Sequence, residues 1–123
     1  MENLIIEGTG SLPKVNFYAN GNLSMEGRLL PDNAVKAFEP LFNWINGFSY
    51  VKVRFSINLE YLNTSSSMQL FSLLKILEGN CEIQDIQVIW HYDEDDEDHL
   101  ETGQIFAEQL RRTKFSYETE LAA

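Results

Sequence analysis

The sequence predicts an α/β fold: a two-layer sandwich whose mixed β-sheet combines an N-terminal hairpin with βαβ units and carries its helices mainly on one face. Three observations predict it. The pair Asn20-Gly21 stands between two apolar-alternating stretches, as in a β-hairpin. Tyr50 to Glu60 alternates apolar and polar side chains without a fault. Leu70, Leu73, Leu74 and Leu77 then recur at helical spacing ahead of another strand-like run.

In order along the chain, a short strand is expected around Leu4 to Glu7, followed by a Gly8 to Pro13 loop. The hairpin pairs Lys14 to Ala19 with Asn22 to Arg28, placing Val15, Phe17, Leu23 and Met25 on one side. Its turn is expected to be type I′, because Asn-Gly best holds two positive φ angles. Asp32 or Asn33 caps a first helix, with apolar positions at Ala34, Ala37, Phe38, Leu41 and Ile45. Pro40 lies inside it and has no N–H for the Lys36 carbonyl, which predicts a kink or short break.

Within Tyr50 to Glu60, Val51, Val53, Phe55, Ile57 and Leu59 point inward, while Lys52, Arg54, Ser56, Asn58 and Glu60 point to water. Ser65 to Glu78 is an amphipathic helix ending at Gly79, its stripe widened by Phe71 and Ile76. Ile83 to Tyr92 is the next strand, parallel to its predecessor through a right-handed crossover. The acidic run Asp93 to Asp98 leads into a third helix through Leu100, Ile105, Phe106 and Leu110, and Phe115 with Tyr117 marks a last short strand.

Composition bounds the function. The 123 residues, 44% hydrophobic and 23% charged, fit one domain over residues 1–123 with a self-sufficient core. Residues 1 to 81 carry six Lys and Arg against seven Asp and Glu, whereas residues 82 to 123 carry three against twelve, so most of the net −10 is local. Such a surface repels phosphate backbones and anionic headgroups, so neither nucleic acid nor membrane is an expected partner. Protein partners are the default. A cytoplasmic location is the expectation, given a lone cysteine, Cys81, and no signal-peptide core or membrane-spanning run in the sequence. Cys81 has no basic neighbour in sequence and is expected to be a small, partly buried side chain.

Chemistry concentrates at Tyr61-Leu62-Asn63-Thr64-Ser65-Ser66-Ser67, where a strand ends and a helix begins. Four consecutive hydroxyls meet the unpaired N–H groups and positive dipole end of the helix, a place that stabilises an added phosphate. The plainer account is a cap on Asn63 or Thr64 with the remaining serines solvated; the two are compatible. His91, His99 and the acidic run offer imidazole and carboxylate ligands, which raises a small metal hydrolase as a reading. The run lacks the glycine and ligand spacing of a calcium loop, and neither a metal nor a cofactor is expected. His91 is expected to be a hydrogen-bonded structural residue. Trp44, Trp90, Phe38 and Phe71 fall at core periods and need no ligand. The chain has no phosphate-cradling glycine loop and no serine-hydrolase elbow, so no catalytic residue is expected.

The hexapeptide YLNTSS at Tyr61 to Ser66, with WHYDEDDED at Trp90 to Asp98, resembles the SiaC family of bacterial regulatory phosphoproteins. The likeness covers essentially the whole chain, including Gly8-Thr9, Pro13 and Val15, the Leu23 to Gly27 strand, the Pro-Asp-Asn turn at Pro31 to Asn33, and Pro40 to Trp44. The resemblance implies a fold similar to STAS domains, the anti-sigma-factor antagonists, and a phosphothreonine at Thr64. It further implies a serine/threonine protein kinase that adds the phosphate and a metal-dependent serine/threonine phosphatase that removes it. The unmodified protein would bind and activate a diguanylate cyclase, with cyclic di-GMP signalling and biofilm formation downstream. Tyr61, Leu62, Asn63, Thr64 and Ser65 are then the expected partner-binding residues. An antagonist in a sigma-factor cascade, phosphorylated on Ser65 or Ser66, is the alternative. The chain departs from the family pattern at Arg28 to Leu30, which bears on the identity of the partner.

Overall fold

In the computed structural model, which describes residues 1–120, strands β1 (Leu4–Ile6), β2 (Lys14–Phe17) and β3 (Asn22–Leu29) form an antiparallel meander. The β2–β3 turn differs from the expected type I′. Gly21 donates its N–H to the Tyr18 carbonyl at 3.0 Å, and Tyr18 donates to the Asn22 carbonyl at 3.0 Å. Among the described residues only glycines have positive φ, Gly21 at 90° among them, so Ala19 and Asn20 form a type I turn closed by a left-handed glycine. The cause is tertiary. Gly21 lies against the neighbouring strand β4 (Lys52–Leu62), where a Cβ would come 1.9 Å from the Lys52 carbonyl oxygen. Its own carbonyl accepts the Arg54 N–H at 2.9 Å.

From β3 onward the chain alternates: α1 (Ala34–Asn46), β4, α2 (Thr64–Gly79), β5 (Asp85–Asp93), α3 (Glu97–Gln109) and β6 (Lys114–Glu120). Strands β3 to β6 are mutually parallel, and the six-stranded sheet has sequence order β1-β2-β3-β4-β5-β6. Each parallel pair is joined by one helix, the βαβ arrangement expected. Val53, Phe55, Ile57 and Leu59 of β4 and Ile86, Val88 and Trp90 of β5 enter one core with Phe38, Leu41 and Ile45 of α1, Leu70, Leu73, Leu74 and Leu77 of α2, and Phe106 of α3. The three helices therefore cover a single face. Each of these fully buried aliphatic or aromatic side chains contributes about 1.5–3 kcal/mol relative to exposure. The opposite face is polar: Lys52, Arg54 and Glu60 are exposed, Ser56 and Asn58 half-buried.

Several local expectations are corrected. Helix α1 passes through Pro40 without a break; Lys36 and Pro40 are both exposed, so the carbonyl left without a helical donor faces water. Strand β4 begins at Lys52, and Val51 is exposed because its carbonyl serves the Gln84 and Asp85 N–H groups instead of the ladder. Cys81 is exposed: it rides on a turn after α2 in which Asn80 Oδ1 accepts the Glu82 N–H at 3.0 Å. Ile105 is also exposed, since the inward face of α3 is His99, Gly103 and Phe106. Trp90 explains that choice. Its indole occupies the space over Gly103, where a Cβ would come 2.7 Å from the ring, and its Nε1 donates to the His99 carbonyl at 3.0 Å.

A clamp that sequence spacing does not reveal fixes the far end of α2. The Arg112 guanidinium donates to the carbonyls of Glu78 (2.8 Å), Ile83 (2.6 Å) and Asn80 (2.9 Å). The Glu78 carboxylate in turn accepts the N–H groups of Arg111, Arg112 and Thr113 and the Thr113 hydroxyl. Orphan carbonyls of a helix terminus are thereby satisfied by one side chain from 34 positions away.

Candidate functional site

Because β3, β4 and β5 run parallel and each feeds a helix, their carboxyl ends collect three helix N-termini along one edge of the sheet, where α/β proteins bind ligands. Each terminus is capped by a short polar side chain. Asn33 Oδ1 accepts from Lys36 N–H at 3.1 Å, Asn63 Oδ1 from Ser66 N–H at 2.8 Å, and Asp96 Oδ1 from His99 N–H at 3.0 Å.

At the central terminus, of the two caps open to sequence reasoning, it is Asn63 that serves. Thr64 is the first helical residue of α2 and is exposed, as is Ser65. Their hydroxyls stand in solvent beside the leading N–H groups of the helix, which have no intrahelical acceptor. Ser66 differs: it is wholly buried, and its Oγ has no hydrogen-bond partner. Thr64 and Ser65 are thus open to solvent, whereas Ser66 is closed off within the first turn of α2. Ser67 is half-buried.

The strand before the motif contains a device that aims Tyr61. Register with β3 shifts between Gly27 and Arg28, so that Gly27 pairs with Leu59 but Arg28 pairs with Tyr61. Without this bulge, Tyr61 would follow Leu59 into the core by simple alternation. Instead Tyr61 is 52% exposed, and the Arg28 guanidinium lies 4.6 Å from its ring centroid. Gly27, at φ 127°, supplies the backbone geometry the irregularity needs. Leu62 pairs with buried Leu29 and is half-buried.

Beside Ser67 the α2 and α3 termini enclose a polar cleft of about 220 Å3, with Glu60, Asp96, Asp98, His99 and Thr102 in its walls. On the other side of Ser67, Met68, Phe71, Ile105 and Phe106 line an apolar groove. His99 is buried and stacks on Trp90, ring centroids 4.9 Å apart. Burial pushes its pKa below the usual value, against the opposing pull of Asp96 and of a hydrogen bond to the His91 backbone, so the ring is neutral at pH 7. Its Nε2 has no partner.

His91 does not join this cleft. On the polar sheet face, its Nε2 lies 2.9 Å from Ser56 Oγ and its Nδ1 3.7 Å from the Glu118 carboxylate, the structural role expected. Among the described residues, no three His, Cys, Asp or Glu side chains form a group that could hold a metal ion. Also among the described residues, no helix is long and apolar enough to cross a membrane.

Comparison with known proteins agrees with this architecture. The profile of the SiaC family regulatory phosphoproteins matches residues 6–120. An uncharacterised protein of Pseudomonas aeruginosa strain UCBPP-PA14 is 31% identical over 113 residues, spanning 88% of this chain and 90% of its own. Among solved structures, SiaC of Pseudomonas aeruginosa superposes with a TM-score of 0.83 at 28% identity, covering 98% of this chain and 100% of that one. A second similar structure is that of the diguanylate cyclase SiaD of the same organism in complex with its activator SiaC: TM-score 0.82, 29% identity, 95% and 99% of the two chains covered. With the family profile spanning nearly the whole sequence, the chain belongs to the SiaC family of regulatory phosphoproteins.

Proposed function

We propose that this protein is a phosphorylation-controlled binding switch: unmodified, it binds and activates a diguanylate cyclase, and a phosphate on Thr64 releases that partner. The observation that carries the reading is the division of labour at the α2 terminus, where Asn63 does the capping and leaves the Thr64 hydroxyl exposed and uncommitted. The complex of SiaD with its activator SiaC, similar to this chain at 29% identity, supports the choice of partner. The chain contributes no chemistry of its own in this scheme. A serine/threonine kinase installs the phosphate and a metal-dependent phosphatase removes it, both acting in the cytoplasm on a hydroxyl they reach from solvent.

The mechanism is local. Phosphate brings about −1.5 to −2 charges and three acceptor oxygens to a surface that was a neutral hydroxyl. The α2 dipole accommodates the anion in the free protein. In the complex, the same group must be desolvated against the partner, and the interface opens. Tyr61, Leu62, Asn63, Thr64 and Ser65 form the contact segment.

The test is reconstitution with the cyclase. Unmodified protein should raise cyclic di-GMP synthesis, Thr64→Glu and the phosphorylated protein should not, and Thr64→Val should activate but resist the kinase. Equal activation by all four forms refutes the reading.

A further inference from the structure

On the sheet face away from the helices, side chains in register line up in rows across the strands. One row crosses all six strands and carries no charge: Ile5, Asn16, Ser24, Ser56, Ile89 and Ser116 pair in that order. Two residues nearer the amino ends of the parallel strands, Asn22, Arg54, Gln87 and Lys114 make a row with two cations. Two residues nearer the carboxyl ends, Lys14, Glu26 and Asn58 pair in turn, as do His91 and Glu118, which gives a row with two carboxylates and one cation. The ions are reachable. The Lys114 side chain is 77% exposed, 3.7 Å from Asp85, and that of Glu118 is 60% exposed, 3.7 Å from His91.

We propose that this open face docks a second copy of the chain in a two-fold, face-to-face dimer, an inference independent of the Thr64 reading. Charge complementarity selects the occupant. A two-fold axis along the uncharged row, perpendicular to the strands, lays each strand over its own counterpart and exchanges the two flanking rows. Lys114 then meets Glu118 of the second copy, and by symmetry the reciprocal pair forms at the same time. Arg54 meets a row whose carboxylate Glu26 lies one strand aside, about 4.8 Å away. Ile5, 49% exposed at the end of the axial row, meets its own counterpart. Six strands about 4.8 Å apart and three rows about 7 Å apart give a contact on the order of 500 Å2 per copy, the scale of a weak, reversible association. Because the axis reverses strand direction, the two Thr64 edges point away from each other and stay free.

The experiment is sedimentation velocity on the full chain over a concentration series, with Lys114→Glu and Glu118→Lys as charge reversals. The unaltered chain should dimerise with a dissociation constant on the order of 10–100 μM. Each reversal alone sets like charges opposite one another at both pairs and should weaken the dimer at least about tenfold. An equimolar mixture of the two variants restores opposite charges at both pairs and should dimerise as the unaltered chain does. Both changes are on exposed residues, and matching thermal unfolding confirms that the fold is kept. A chain that stays monomeric to about 1 mM, a dimer indifferent to either reversal, or a mixture that fails to associate overturns the proposal.

Discussion

Two glycine-to-alanine substitutions, both in helices, should move stability in opposite directions. Alanine at an interior helical position gains about 1 kcal/mol over glycine from propensity alone. At Gly103 that gain meets a wall: the new Cβ would lie 2.7 Å from Cδ1 and Nε1 and 2.8 Å from Cγ of Trp90. The indole has no room to retreat, being fully buried and tied by its N–H to the His99 carbonyl at 3.0 Å. Overpacking of this kind costs about 1–3 kcal/mol, and the absence of a yielding side chain puts Gly103→Ala at the upper end. The net expectation is a loss of about 1–2 kcal/mol, or about 4–8 °C in Tm for a chain of this size. Gly79, the last residue of α2, has nothing within 4 Å of its would-be Cβ, so Gly79→Ala should gain about 0.4–1 kcal/mol. Urea denaturation followed by tryptophan fluorescence measures both. A Gly103→Ala protein as stable as the parent would refute the packing argument, because propensity would then have prevailed at a site where the geometry forbids it.

Three further outcomes follow from the capping and titration chemistry. Asn63→Ala removes the acceptor of the Ser66 N–H and should cost about 1 kcal/mol, with faster hydrogen exchange confined to the first turn of α2. For Glu78, burial raises the carboxyl pKa, but the N–H groups of Arg112, Arg111 and Thr113 and the Thr113 hydroxyl outweigh it and hold the group below its usual 4.5. Its stabilisation is therefore present above that value and lost as pH falls through the folded one; Glu78→Gln should be less stable at pH 7, and denaturation curves of the two proteins should converge on acidification. His99 is depressed below 6.5 by burial, so the unfolded chain takes up its proton first and stability declines as pH falls from 6.5. His99→Phe keeps a ring on Trp90 and should flatten that limb, a result absent if the buried imidazole already titrates normally.

Periodicity located the hairpin strands, α1, β4 and α2, because alternation and the 3.6-residue stripe are direct consequences of which face is buried; the last strand, expected to be short from Phe115 and Tyr117, runs over seven residues. The same reasoning placed the central motif on the turn between β4 and α2. It failed where the deciding contact came from elsewhere in the chain. Asn20-Gly21 favours a type I′ turn in isolation, yet the press of Gly21 against Lys52 settles the geometry. Ile105 fits an apolar stripe as well as Phe106 does, and only the Trp90 indole over Gly103 decides which face of α3 turns inward. The Glu78–Arg112 clamp joins residues 34 apart, beyond any local signal. The bulge opposite Gly27 was hidden for a related reason: a glycine in a strand marks an irregularity, but not which partner residue is displaced.

The charge pattern constrains how such a switch is read. The chain already carries a net −10, so a phosphate of about −1.5 to −2 charges changes the total by a fifth at most, and salt screens that change beyond roughly 8 Å under physiological conditions. Long-range attraction or repulsion of a partner therefore changes little on modification. At short range the situation is different, because the positive end of α2 favours an anion on its first turn. In the proposed switch the free energy of modification falls on the interface, where the phosphate must lose its water against the partner. A switch of the proposed kind signals by contact and not through the long-range field of the chain.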